Sequence, residues 1–104
     1  MGCDISVVPK PGEGPSKESR EAGNYDILFH GTTASGDTLS ASVGGDLDPG
    51  YGSTSKMIAE SAVCLVLNPE LASGGIWTSA PAMGSALIER LQANAGLTFA
   101  VEAE

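Results

Sequence analysis

Cations, cysteine, histidine and aromatic rings are all scarce in this sequence, and each scarcity removes a class of function. Five Lys and Arg stand against thirteen Asp and Glu in 104 residues, a net charge of −8. Nucleic-acid backbones are held by clustered Lys and Arg, and Lys10, Lys17, Arg20, Lys56 and Arg90 are scattered along the chain, so no nucleic-acid partner is expected. An anionic membrane surface is disfavoured on the same grounds. No apolar run approaches the roughly 20 residues of a spanning helix, so no membrane partner is expected either. Two cysteines and one histidine, with no CxxC and no Cys/His cluster, make no zinc-ligand set, and no metal is expected. Cys3 and Cys64 stand in such different contexts that a reducing, cytoplasmic setting follows. The opening "MGCDISVVPK" lacks the charged start and apolar length of a signal peptide, and its likeness to a myristoylation start goes no further than Met1-Gly2 and Ser6.

What is abundant is glycine, acid and small aliphatics. Hydrophobic residues make up 41% of the chain and aromatics 5%, so the core should be aliphatic, with Cys64 of "AVCLVL" acting as a small hydrophobe within it. The length fits one domain, residues 1–104, with one modest core.

Periodicity divides the chain into elements. "CDISVV", 3–8, is short and β-branched and reads as a strand. Residues 9–24 form a Pro- and Gly-rich loop with one helical turn at 16–22, capped by Ser16 and ended by Gly23. "YDILFHGTT", 25–33, reads as a strand with Ile27, Phe29 and Gly31 opposing Leu28 and His30. After a loop at 34–36, "DTLSASVGG", 37–45, alternates Leu39, Ala41 and Val43 against Thr38, Ser40 and Ser42, the signature of an antiparallel strand with one wet face. From about Ser53 to Leu67, Met57, Ile58, Ser61, Ala62, Leu65 and Val66 fall at helical spacing, Lys56 and Glu60 make an i,i+4 pair, and Asn68-Pro69 stops the helix. A loop follows, with a short extended piece at 76–78. Ser79 caps a second helix with Pro81 in its first turn and a stripe of Met83, Leu87, Ile88 and Leu91, ended by Gly96. "LTFAVEA", 97–103, is a last strand with Leu97, Phe99 and Val101 inward. The expected fold is α+β: a mostly antiparallel sheet of about four strands with two main helices on one face.

Chemistry-bearing residues are few. "GDLDPGYGSTSKMIAESAVCLVLN", 45–68, brings Gly50, Gly52, Ser53, Thr54, Ser55 and Lys56 to a helix start, where the dipole favours anions. It is either a phosphate or carboxylate seat, or a turn at Asp48-Pro49-Gly50 with Ser53 or Thr54 as cap. It is neither a P-loop nor a GxGxxG fingerprint. In "PGEGPSKESR", 11–20, Gly12 and Gly14 permit close backbone approach and Glu13, Ser16 and Arg20 offer polar groups, either to a ligand or as a surface loop. His30 has no triad partners, the acids are dispersed, and Trp77 either anchors its loop or stacks on a substrate. No catalytic residue is assigned.

Four phrases taken together, "PGEGPSKESREAGNYDILFHG", "GDLDPGYGSTSKMIAESAVCLV", "GGIWTSAPAMGSALIERL" and "AGLTFAVE", resemble the carboxy-terminal part of saccharopine dehydrogenase-like oxidoreductases, including their bacterial trans-acting enoyl reductase branch, in order over residues 9–102. The resemblance implies a missing N-terminal Rossmann domain that binds NAD(P), with no cofactor held by this chain. It implies that these residues are the substrate-side α+β half, inactive alone and able to contribute to a homodimer. It also makes Gly12, Gly14, Ser16, Arg20, Tyr51, Gly52, Ser53, Thr54 and Lys56 candidates for facing a small-molecule substrate or the cofactor. A stand-alone small-anion module and a dimerisation unit are the competing expectations.

Overall fold

A computed structural model describes residues 10–71 and 73–102. The order is α1 (Lys17–Ala22), β1 (Tyr25–Thr32), β2 (Thr38–Gly45), α2 (Gly52–Leu67), α3 (Ser79–Asn94) and β3 (Leu97–Glu102). The strands form a three-stranded antiparallel sheet in the order β1-β2-β3. The fold is therefore α+β, with three strands among the described residues where about four were expected. The expected strand at 3–8 lies outside the described residues, and no extended element forms at 76–78.

The alternation in the sequence sets the faces of the sheet. Register pairs Tyr25 with Gly45, Ile27 with Val43, Phe29 with Ala41 and Gly31 with Leu39, and carries the same rows to Leu97, Phe99 and Val101. One face is apolar from end to end, since side chains two apart share a side. The other carries Asp26, His30, Ser40, Ser42, Thr98 and Glu102. There His30 Nδ1 lies 2.9 Å from the Ser40 hydroxyl across the strands. The β1-β2 turn is closed by Thr33 N–H donating to the Asp37 carbonyl at 2.9 Å.

The helices pack on one end of the apolar face. Cys64, Ala82, Met83, Leu87, Leu91, Ala95 and Leu97 are buried, with Val43, Met57 and Phe99 against them. Cys64 is fully buried and is the small core hydrophobe its context predicts. The outer part of the expected α2 stripe is not buried: Ile58, Leu65 and Val66 are exposed, because α2 turns the face that carries Met57 and Cys64 to the core. Glu60 likewise leaves Lys56. Its carboxylate accepts from Arg90 at 2.7 Å and from the Asn94 amide at 3.2 Å, both on α3, and so ties the two helices together. Asn68 ends α2 by donating from its backbone and its side-chain amide to the Cys64 carbonyl, at 3.1 and 2.9 Å.

Three details of α3 differ from expectation: Ile88, expected in its buried stripe, is exposed, while Met83, Leu87 and Leu91 are buried. Its N-cap is Thr78 rather than Ser79, without a side-chain cap bond. Gly84 sits at φ 52°, ψ −136°, a conformation closed to residues with a Cβ, so a kink divides the helix. Gly84→Ala is expected to lower stability by about 1–3 kcal/mol. Gly74→Ala, at a position with open space around it, is expected to be near-neutral. Denaturant melts of the two variants compare them directly.

Candidate functional site

The two Gly-rich segments meet in space. The helical turn α1 is capped by Ser16, whose hydroxyl accepts from Ser19 N–H at 3.1 Å. Its far end lies against the chain leaving β2, where Asp48 N–H donates to the Arg20 carbonyl at 3.1 Å. A Cβ added at Gly23 would lie 2.7 Å from the Asp48 backbone, so the two segments touch main chain to main chain. Gly14 lies against the Tyr51 ring, at 3.8 Å from where its Cβ would be.

The start of α2 is organised by one carboxylate that sequence reasoning passed over. Asp48 Oδ2 accepts from Tyr51 N–H at 2.8 Å, Oδ1 accepts from Gly52 N–H at 2.7 Å, and the Asp48 carbonyl accepts from Ser53 N–H at 2.9 Å. Partial burial raises the Asp48 pKa, but the amides of Tyr51, Gly52 and Gly50, joined by the charge of Arg20, hold its carboxyl below the ordinary value of 3.8. The helix-start amides that would meet a phosphate are thus occupied by the protein's own anion. Asp48 caps from four residues before the first residue of the helix, in an Asx-type turn for which "DPG" is the sequence signal. Ser53 and Thr54 do not cap. Ser53 is fully buried with its hydroxyl 2.7 Å from that of Tyr25, and the exposed Thr54 donates to the Pro49 carbonyl.

What the meeting of segments leaves open is a cleft of about 380 Å³ lined by Lys17, Arg20, Glu21, Tyr51, Gly52 and Lys56, with Leu47 and Ser55. Three of the chain's five cations therefore converge, although they are scattered in sequence. Lys17 makes only an exposed 3.7 Å contact with Glu21, while Lys56, its expected partner bound to Arg90, makes no ion pair among the described residues. Exposed pairs of the first kind hold their charges weakly and leave them available.

Of the nine expected site residues, Arg20, Tyr51, Gly52 and Lys56 line this cleft. Gly14 supports it through the Tyr51 ring, and Ser16, Ser53 and Thr54 bond within the scaffold. Gly12, at φ 89°, has open space where a Cβ would be and does not line it. Lys17 joins the site unforeseen, and its i,i+3 spacing from Arg20 on one turn is the signal that would have found it. His30 stands on the sheet's polar face, and Trp77 anchors its loop by donating from Nε1 to the Ser73 carbonyl at 2.8 Å. Among the described residues, no group of three His, Cys, Asp or Glu could hold a metal ion, and no helix is long and apolar enough to cross a membrane.

No family model and no solved structure matches the chain. Curated relatives do. A Mycobacterium tuberculosis (strain ATCC 25618 / H37Rv) protein, named provisionally as a trans-acting enoyl reductase, is 46% identical over 89 residues, covering 84% of this chain and 21% of that protein. The trans-acting enoyl reductase of Mycobacterium ulcerans (strain Agy99) is 41% identical over 87 residues, and that of Mycobacterium bovis (strain BCG / Pasteur 1173P2) is 38% identical over 87. Each of these two alignments covers 82% of this chain and 21% of the relative. The chain is homologous to these proteins and spans about a fifth of their length.

Because the folded Asp48 carboxyl titrates below its unfolded value, its contribution is present above pH 3.8 and is lost as pH falls through the folded pKa. Asp48→Ala is expected to melt below the wild type at neutral pH, with the gap closing as the pH is lowered past that value. Thermal melts over a pH series read both effects.

Proposed function

We propose that this chain is one domain, the substrate- and dimerisation-side half of a saccharopine dehydrogenase-like NAD(P)-dependent oxidoreductase, working in the cytoplasm and inactive alone. The observation that carries this reading is the homology: 46% identity over most of this chain but only 21% of an enoyl reductase relative. Reduced nicotinamide supplies a hydride in such chemistry. The described residues do not fit the dinucleotide, because the one Gly-rich helix start is filled by Asp48 and the sequence has no GxGxxG. In this reading the Rossmann domain and its cofactor belong to the remainder of the protein, and this chain supplies a wall of the substrate pocket.

The cleft's part in that wall is to hold and orient. Lys17, Arg20 and Lys56 offer positive charge to an anionic group of a small-molecule substrate, and the Tyr51 ring gives a flat apolar side. Asp48 fixes the backbone beneath them without reaching the substrate. The same convergence of cations favours a second reading, a stand-alone module for a small anion.

Calorimetry separates the readings. Titrating NADPH or NADH into these 104 residues is expected to give no binding heat, whereas the longer gene product binds. Tight dinucleotide binding by this chain alone would sink the first reading. Under the second, phosphate or acetate shifts the amide resonances of Arg20 and Lys56, and Lys56→Glu abolishes the shifts; unmoved amides eliminate it.

A further inference from the structure

The apolar face of the sheet is only half covered. Near the helices it is closed by Leu97, Val43 and Phe99 of the core, but Phe29, Leu39 and Val101 at the other end are 53%, 59% and 69% exposed. At the helix end a groove of about 560 Å³ still opens between sheet and helices, past Ile27, Val43, Met57, Leu91 and Phe99. Among the described residues of the strands, no charged residue stands on this face, in contrast to the Asp26 and Glu102 of the other. The radius of gyration is 17.4 Å, against about 13 Å for a compact domain of 100 residues. Continuous apolar surface of this kind marks an interaction site.

We infer that this face is a docking surface for the remainder of the longer polypeptide, which meets it with an uncharged, apolar surface of its own. The inference rests on reading the chain as one domain of a longer protein. Two quantities favour a tethered occupant over a second copy. Strands about 4.8 Å apart, eight, eight and six residues long at about 3.3 Å each, span roughly 350 Å² of sheet, part of it already under the helices, short of the roughly 800 Å² per partner that a stable complex of separate molecules buries. A tether removes that shortfall by supplying a high effective concentration, and the relatives' length provides for one, since this chain covers 21% of it. A net charge of −8 on each copy opposes self-association further.

The test compares this chain with the polypeptide its gene encodes. Hydroxyl-radical footprinting is expected to label Phe29 and Leu39 several-fold more in the isolated chain than in the longer protein. Leu39→Glu is expected to leave the melting of the isolated chain unchanged, and in the longer protein to lower the melting temperature and speed limited proteolysis. Ala100→Glu, on the opposite face, should do neither. Equal labelling of the two forms overturns the inference even if Leu39→Glu prevents the longer protein from folding. A dimer of the isolated chain that Leu39→Glu dissociates assigns the face to a second copy and overturns it too. A gene product no longer than this chain defeats the underlying domain reading instead, which sequencing the gene establishes independently.

Discussion

Everything on the site side of this fold hangs on the Asp48 carboxylate. Its two oxygens hold the first amides of α2, while its backbone amide is held by the last turn of α1. One residue thereby fixes where the chain turns out of β2, where the long helix begins and where the loop of residues 10–24 comes to rest. Without it the helix start would expose unpaired N–H groups. With it, the same amides are closed to any external anion. Order in this corner is obtained by giving up the most obvious anion seat in the molecule.

The charges then find a different arrangement. Arg90 takes Glu60 across the helix pair, which frees Lys56 from the partner one turn along its own helix. Lys17 and Arg20 arrive from α1, and the three cations frame a cleft in a protein that is otherwise strongly acidic. Glu21 lines the same cleft and contacts Lys17, so part of that positive charge is offset within it. The cleft lies within the stretch of chain that is homologous to the enoyl reductase relatives.

The sheet has a related incompleteness. Two helices cover one end of a face that is apolar over its whole length, and α2 also shows Ile58, Leu65 and Val66 on its outer side. The buried core is small for 104 residues and centres on residues contributed by α3 and the start of β3. Among the described residues, apolar surface is thus exposed both on the sheet and on the outer side of α2.

Local pattern alone determined the strands, the helices and the sidedness of the sheet, because hydrophobic alternation and helical spacing act within a few residues. The alternation of Leu39, Ala41 and Val43, the stop at Asn68-Pro69 and the burial of Cys64 all follow from neighbours in sequence. Tertiary structure decided which glycine-rich residues face a cleft and which merely support it, which cations converge, and which acid closes the helix start. Ser53 and Thr54 looked like caps because hydroxyls favour helix starts, yet the helix begins before them and the Asp48 carboxylate, four residues ahead of Gly52, holds its first amides. Lys56 and Glu60 had the spacing of a pair, but the partly buried Arg90 on α3 offered Glu60 a shorter, less screened contact. Contacts between residues distant in the chain leave no periodic trace, and it is on those contacts that the site depends.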